Sequence, residues 1–367
     1  MSKVKTVILT GFLGSGKTTL LNQLLLHPKC QKAAVLVNEF GEIGIDHQLL
    51  SFTSERIAIV SGGCICCSIR EDIEEAVRHL YEQQKNDLIP SFEYLFIETS
   101  GLADPAPLIQ TLMSSSLLRE KLELVNVMTT VDAVLGYDTI QRHPEAAKQV
   151  ALADIIRVTK QDLVEDEQKI QHLIQQIQAV NSGVQIMYAS NTANLDNAIE
   201  LLLKDIFLQR LKYQEVSTQS FFQSVHLLNT GIQTFSFTLG NAIDWTAFGV
   251  WLTSLLHRHG ANILRVKGLL WVEQVSEGPL GFNAVQHMVF PPIHYPTWGK
   301  VEKISQLTFI VNGLPADVIE RSFQIFMQIA GIRSLKHEGE KHVRPIGAGA
   351  VVNGHPVRRA CSPRWLR

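Results

Sequence analysis

The sequence predicts an α/β fold in which a parallel β-sheet carries helices on both faces, followed by a smaller α+β domain. Over the first 210 or so residues, short runs rich in Val and Ile alternate with helical patterns, which is typical of parallel sheets buried on both faces. The length of 367 residues favours two domains rather than one. Beyond residue 231, two helical patterns occur among several strand patterns, which indicates a small α+β unit.

The first part of the chain opens with a strand pattern, VKTVILT (4–10), followed by a helical pattern, GKTTLLNQLLL (16–26). Further helical patterns occupy residues 69–84 and 166–180. The remaining strand patterns lie at 33–40, 56–60, 94–99, 124–131, 155–159 and 185–190. Because strands and helices alternate in this way, we expect a parallel sheet in a domain that spans residues 1–210.

The second part begins after a polar, irregular stretch at 211–231, which we interpret as a linker. Its strand patterns lie at 234–239, 263–275, 284–290 and 305–311, and its helical patterns at 245–259 and 317–330. We predict a C-terminal domain over 232–335. The tail at 336–367 is rich in Gly, Pro and Arg, and we expect it to be loosely ordered.

Composition excludes several classes of protein. With 46% hydrophobic and 19% charged residues, the chain suits a soluble globular protein. The formal net charge of −2 argues against a nucleic-acid or anionic-membrane partner. There is no basic segment leading into an apolar run at the N-terminus, and no apolar stretch long enough to span a bilayer. We therefore expect a cytoplasmic protein.

Residues 11–18, GFLGSGKT, match the phosphate-loop pattern G-x-x-x-x-G-K-[ST] between a strand and a helix. Glycines let backbone N–H groups approach an anion, and the helix N-terminus adds partial positive charge. Lys17 is expected to reach the β- and γ-phosphates, and the Thr18 hydroxyl to bind Mg²⁺. The nucleotide-binding residues predicted here are Gly11, Gly14, Ser15, Gly16, Lys17, Thr18 and Thr19.

Guanine specificity is predicted from TKQD at 159–162, which follows a strand and is similar to the Asn-Lys-x-Asp motif of GTPases. The Asp162 carboxylate can accept hydrogen bonds from the guanine N1–H and exocyclic amine, which adenine does not offer. Lys160 would lie along the base. Thr159 departs from the pattern by replacing Asn, while the discriminating carboxylate is kept. Ala189 and Ser190 would bring a backbone N–H to the guanine oxygen.

The strand YLFIET (94–99) carries an acidic residue at its end, and Gly101 follows three residues after Glu98. Many GTPases have Asp-x-x-Gly at this position, where the carboxylate supports the Mg²⁺ shell and the glycine N–H senses the γ-phosphate. We expect Glu98 and Gly101 to take these roles. Together with Lys17 and Thr18 they form the predicted catalytic set.

Five motifs, GFLGSGKTTLLN, VNEFGEIGID, GGCICCSIR, IETSGLADP and TKQD, occur in the order found in the CobW-like family of metal-linked P-loop GTPases. The chain resembles this family over nearly its whole length, and ILRVKGLLWVE and LTFIVNGL resemble its C-terminal domain. The resemblance implies a slow GTPase that binds zinc or a related ion and delivers it to a client metalloprotein. In the family the clients vary: zinc enzymes, nitrile hydratase or cobalamin-pathway partners, so a GTP-dependent activator or insertase is the alternative. The histidine-rich loop of many relatives is absent here.

The block GGCICC places Cys64, Cys66 and Cys67 close together, in a chain with five cysteines. Thiolates favour soft or borderline ions such as Zn²⁺, and the resemblance favours transferable metal binding. Glu42 is the leading candidate for a further ligand, with Glu39 as the alternative. Buried structural thiols and a redox switch are the competing interpretations.

The thiol block lies between the segment NEFGE and Glu98, both expected to respond to the γ-phosphate. We therefore predict that the nucleotide state changes the ligand set of the metal. No Gln or Arg in the motifs supplies strong catalysis in cis, so slow turnover is expected. Two other functions stay open: a nucleotide-dependent kinase or ligase with a structural thiol site, and a redox-regulated GTP-binding adaptor.

Overall fold

A computed structural model describes residues 3–37, 58–61, 69–188, 199–200, 231–273, 275, 277–298 and 303–329. It confirms the α/β fold class, with a parallel sheet covered by helices and a smaller α+β unit after it. Residues Met1–Leu335 form one compact unit. None of the helices in the described ranges is both long and apolar enough to cross a membrane.

The first sheet has seven described strands in the order β3-β2-β4-β1-β5-β6-β7, and every pairing is parallel. Their bounds are β1 Val4–Gly11, β2 Ala33–Val37, β3 Ala58–Ser61, β4 Tyr94–Glu98, β5 Leu122–Asp132, β6 Ile155–Thr159 and β7 Gln185–Tyr188. The order places β4, β1, β5 and β6 side by side. Because the strands are parallel, the loops after these four strands meet at one edge of the sheet.

Helices cover both faces of this sheet. Alternate residues of a strand point to opposite faces, so each face packs against its own helices. On one face, Leu20 and Leu24 belong to the same buried cluster as Val7. On the other face, Ile73 belongs to a cluster with Ile8. The helices are α1 Lys17–Leu25, α2 Ile69–Lys85, α3 Pro105–Ser114, α4 Ser116–Lys121, α5 Gly136–Arg142, α6 Pro144–Leu152 and α7 Glu167–Val180.

The second sheet is antiparallel, in the order β11-β10-β9-β13-β8, with β12 paired to β10. Two helices pack on one face of it, in an aromatic cluster that includes Phe248, Trp251, Phe309 and Phe323. The bounds are β8 Ile232–Leu239, α8 Trp245–His259, β9 Ile263–Leu270, β10 Leu280–Val285, β11 Met288–Val289, β12 Ile293–His294, β13 Ser305–Asn312 and α9 Ala316–Ile329.

Two strand predictions in this unit were wrong in extent. The pattern 284–290 is divided by a tight turn at Gln286, whose φ of 51° lies in the left-handed region. The chain reverses there, so that Ala284 faces Val289 and Val285 faces Met288 across a hairpin. The pattern 263–275 ends as a strand at Leu270. No Gly or Asn marks the turn, so the apolar alternation on both sides gives the impression of one strand.

A β-bulge in β9 turns two consecutive side chains towards the first sheet. In the pairing with β13, Ile310 faces Arg265 and Val311 faces Ile263, which leaves Leu264 without an opposite residue. Such a bulge re-aims side chains. Leu264 and Ile310 share a buried cluster with α6 and α7, and Arg265 reaches the chain between α6 and β6. The two sheets therefore share part of one core.

Asp154, just before β6, is the centre of the polar part of this contact. Its carboxylate forms ion pairs with Arg265 and, at 2.8 Å, with Lys267, and it accepts a 2.9 Å hydrogen bond from the Val127 N–H. Burial alone would raise the pKa of Asp154, but the two cations outweigh it and lower that pKa to about 2. The carboxylate is thus ionised at neutral pH and holds two buried cations.

Candidate functional site

The phosphate loop runs from the end of β1 to the start of α1, as predicted. Gly16 adopts a φ of 93°, a conformation that favours glycine, immediately before the first helical residue. At Gly11 an added Cβ would lie 2.3 Å from the Thr130 Oγ1, so only glycine fits there. Ser15 is buried, and its hydroxyl lies 2.6 Å from that of Thr130. Thr130 of the neighbouring strand β5 therefore holds the phosphate loop in place through its contacts with Gly11 and Ser15.

Lys17 lies over the loop that precedes it. Its ammonium donates to the carbonyl oxygens of Gly11, at 3.0 Å, and of Phe12, at 3.3 Å. The N–H groups at the N-terminus of α1 and this cation are thus gathered at one place, as an anion site requires. Thr19 is exposed in the first turn of the same helix, and Gly14 is exposed at the loop tip.

The side chains of Thr18 and Glu98, both predicted to lie at the Mg²⁺ site, contact each other. The Thr18 hydroxyl donates to the Glu98 Oε1 at 2.7 Å, although the two residues are far apart in sequence. Glu98 is buried and ends β4, which pairs with β1 beside the phosphate loop. A hydroxyl and a carboxylate are hard oxygen donors, which Mg²⁺ prefers, so the donor set fits the ion.

Gly101 lies against the phosphate loop. A Cβ on Gly101 would approach the backbone N of Leu13 to 2.7 Å, so the contact requires glycine. The loop containing Gly101 ends at Asp104, which is the N-cap of α3. The Asp104 carboxylate accepts a hydrogen bond from the Ala106 N–H, and Pro105 is the first helical residue. The structure therefore brings Gly101 and the phosphate loop into direct contact.

The predicted base-reading residues lie at the end of β6, beside the phosphate loop. The Thr159 hydroxyl donates to the Ser15 carbonyl oxygen at 2.8 Å, which ties the two loops together. The Lys160 ammonium lies 2.7 Å from the Asp132 Oδ2. Asp162 is exposed on a short 3₁₀ turn, Gln161–Leu163, so its carboxylate is accessible to a ligand. The residue that departs from the Asn-Lys-x-Asp pattern thus makes a structural bond to the loop.

A cavity of about 110 Å³ lies on the β5 side of the phosphate loop. Its walls include Phe12, Ser15, Asp132 and Gln149. Small-molecule sites usually enclose about 300–1,000 Å³, so this space is too small for a nucleotide. Lys17, Thr18 and Asp162 do not line this cavity.

Three residues of the site were not predicted. Thr130 supports Ser15, Asp132 holds Lys160, and the buried Gln149 donates to the Gly101 carbonyl oxygen at 3.1 Å. Asp132 directly follows the strand pattern 124–131, and an acidic residue at such a position could have identified it. The sequence around Gln149 does not distinguish it from other glutamines in helical patterns.

The predicted metal ligands Cys64, Cys66, Cys67 and Glu42, the alternative Glu39, and Ala189 and Ser190 lie outside the described residues. Within the described ranges, no group of three or more His, Cys, Asp or Glu side chains could hold a metal ion. Cys30 is buried, and burial raises the pKa of its thiol to about 11. Cys30 is therefore a neutral thiol at neutral pH and does not resemble a metal ligand.

Comparison with known proteins gives matches along most of the chain. Residues 5–188 match the nucleotide-binding domain described as CobW/HypB/UreG, and residues 232–327 match the cobalamin synthesis protein CobW C-terminal domain. The zinc chaperone YjiA of Escherichia coli (strain K12) is 31% identical over 323 residues, covering 88% of this chain and 98% of that protein. The zinc-regulated GTPase metalloprotein activator 1 of Dictyostelium discoideum is 26% identical over 319 residues, covering 75% of this chain and 64% of that protein.

Solved structures give the same result for the fold. The crystal structure of zinc-bound YjiA GTPase from E. coli superposes with a TM-score of 0.66 at 25% identity, covering 91% of this chain and all of that one (100%). A zinc-bound triple mutant of YjiA GTPase gives a TM-score of 0.68 at 26% identity, with the same coverage. Both the phosphate-loop domain and the second sheet therefore have counterparts in solved proteins.

Proposed function

The chain belongs to the CobW/HypB/UreG family of nucleotide-binding proteins, and from this premise we propose that it is a slow GTPase that carries zinc to a client metalloprotein. The observation that carries the nucleotide part is the Thr18–Glu98 hydrogen bond of 2.7 Å beside Lys17. It brings a magnesium-type donor pair and a phosphate-binding cation to one loop. The names of the relatives, zinc chaperone and zinc-regulated GTPase metalloprotein activator, support the metal part.

We infer the following division of roles. The loop from Gly11 to Thr19 binds the phosphates, Lys17 stabilises charge that develops on the transferred phosphoryl group, and Thr18 and Glu98 hold Mg²⁺. Water attacks the γ-phosphorus, the bond to the β–γ bridging oxygen breaks, and GDP and phosphate leave. Bound Mg²⁺ supplies charge neutralisation of the phosphate oxygens. Gly101 presents its N–H to the γ-phosphate, and Lys160 and Asp162 read the base.

Asp162 gives a direct test of guanine selectivity. Replacing Asp162 by Ala should lower GTP affinity about 10–100-fold, because hydrogen bonds to a charged acceptor contribute roughly 1.5–3 kcal/mol. Affinity for ATP should stay the same. Titration with GTP, ATP and inosine triphosphate, which lacks the exocyclic amine, measures the effect. Glu165→Ala, which removes an exposed carboxylate from the same loop, is the matched control and should leave all three affinities unchanged. An unchanged GTP preference in Asp162→Ala would assign base recognition elsewhere.

The metal proposal depends on the Cys64–Cys67 block. Replacing Cys66 by Ser should weaken zinc binding more than about 100-fold under reducing conditions, since loss of even an outer-shell partner costs roughly 10–100-fold. Zinc affinity should also differ between protein loaded with a non-hydrolysable GTP analogue and with GDP. Competition titration with a chromophoric chelator measures both quantities.

Cys361→Ser is the matched control, because it removes a thiol outside the block. Equal zinc affinity in wild type and Cys66→Ser would contradict the ligand assignment. Equal affinity in the two nucleotide states would contradict the coupling while leaving zinc binding intact. A disulfide in place of zinc binding would favour the redox-regulated adaptor.

A further inference from the structure

Gln149, in the middle of α6, is a buried polar side chain that holds the loop containing Gly101. It is 1% exposed, and its Nε2 donates to the carbonyl oxygens of Gly101, at 3.1 Å, and of Ala103, at 3.0 Å. Both backbone acceptors belong to the segment between β4 and α3. One side chain therefore uses both of its N–H donors on the loop assigned to γ-phosphate sensing.

The base of this side chain is itself fixed. The Thr129 hydroxyl donates to the Gln149 backbone carbonyl oxygen at 3.0 Å, and Thr129 belongs to β5. The preceding residue, Lys148, forms a 3.0 Å ion pair with Asp104, the residue that caps α3. Consecutive residues of α6 thus hold both the middle and the end of the Gly101 loop. Displacement of that loop must either break these bonds or move α6 with it.

The other end of α6 contacts the second sheet. The Leu152 carbonyl oxygen accepts a hydrogen bond from Arg265 of β9, and Val150 shares a buried cluster with Leu264 and Ile310. Gln149 and Leu152 are three residues apart, which is about 4.5 Å along a helix axis. Less than one helical turn therefore separates the bonds to the Gly101 loop from the bond to the C-terminal domain.

We propose that Gln149 is a positioning residue that sets the Gly101 loop against the phosphate loop and, through α6, links the nucleotide state to the C-terminal domain. The inference rests on the proposed function, because it requires that the Gly101 loop respond to the γ-phosphate. A ligand shifts such an equilibrium only by its differential affinity for the two loop positions. The Gln149 bonds favour the position in which the Gly101 loop lies against the phosphate loop. In the proposed function this position binds the γ-phosphate, so the bonds contribute to the preference for GTP over GDP.

The test replaces Gln149 with Met, which keeps the length and removes both N–H donors. Each hydrogen bond contributes a factor of roughly two to ten to an equilibrium constant. We therefore expect the preference for a non-hydrolysable GTP analogue over GDP, measured as the ratio of the two affinities, to fall about tenfold. Affinity for GDP should stay within about twofold. Hydrogen exchange of the β9 amides, 263–270, should differ between the two nucleotide states in wild type and not in Gln149→Met.

Gln176→Met is the matched control. Gln176 is a 6% exposed glutamine on α7 whose amide has no hydrogen-bond partner among the described residues. It should preserve both the affinity ratio and the exchange difference. A purely structural role for Gln149 would lower stability and leave the ratio unchanged, which would overturn the proposal. Wild-type protein that does not bind the GTP analogue, or that does not distinguish it from GDP, would overturn the proposed function and this inference together.

Discussion

Replacing Lys17 with Ala is expected to slow GTP hydrolysis about 10²–10³-fold, the usual effect of removing one preorganised donor to transition-state charge. The Lys17 ammonium is held over the phosphate loop by the Gly11 and Phe12 carbonyl oxygens, at 3.0 and 3.3 Å. These bonds keep the cation at the loop that is proposed to bind the phosphates, where it would stabilise charge on the transferred phosphoryl group. A single-turnover phosphate-release assay at saturating GTP separates this effect from weaker binding.

Lys32→Ala is the control for loss of one positive charge. Lys32 pairs with Glu93 at 2.6 Å, and both side chains are 59% exposed. Such exposed pairs contribute little, so hydrolysis and stability should both stay near wild type. Lys17→Ala protein that hydrolyses GTP within threefold of the wild-type rate would show that this lysine is not part of the catalytic machinery.

The second large effect is expected at the contact between the two sheets, where Asp154→Ala should lower the free energy of unfolding by about 3–5 kcal/mol. The substitution leaves Arg265 and Lys267, whose side chains are 3% and 11% exposed, as buried cations without their carboxylate. Urea unfolding at pH 7 measures the loss. Asp138→Ala breaks an exposed pair with Arg142, with side chains 65% and 72% exposed, and should change stability by less than about 1 kcal/mol.

The dependence of stability on acidic pH gives an independent measure of what the Asp154 carboxylate contributes. The pKa of Asp154 is lowered from 3.8 to about 2 in the folded protein, so its contribution is fully present above pH 4 and is lost as the pH falls through about 2. The size of this contribution is about 2 kcal/mol. The stability difference between wild type and Asp154→Asn should therefore shrink by about 1 kcal/mol between pH 7 and pH 3. A difference that grows on acidification would contradict the ion-pair account.

The parts of the fold and site that the sequence predicted are those with local signals. The phosphate loop is predicted from glycine spacing and the flanking strand and helix patterns, and the structure has a strand before this loop and a helix that begins at Lys17 after it. The parallel order follows from the alternation of strand and helix patterns. Thr18 and Glu98 were assigned to magnesium separately, from two motifs, and the structure brings their side chains within 2.7 Å because β4 pairs with β1.

The parts that were missed depend on contacts between distant segments. Gln149 meets Gly101 only after α6 packs beside β5, and Arg265 meets Asp154 only because β9 contains a bulge. The turn at Gln286 has no Gly or Asn to mark it. Such features are set by tertiary packing, which overrides local preference, so a single sequence does not reveal them.

The core shared by the two sheets also limits how this molecule can move. Ile232, Leu264 and Ile310 pack in one cluster with side chains of α6 and α7, and the ionic contact at Asp154 lies beside it. A hinge that opened between the sheets would expose this apolar surface to water. It would also separate Asp154 from Arg265 and so break their ion pair. Between the two sheets we therefore expect small sliding displacements of packed helices, the shear type of motion, in which side chains shift against each other without separating.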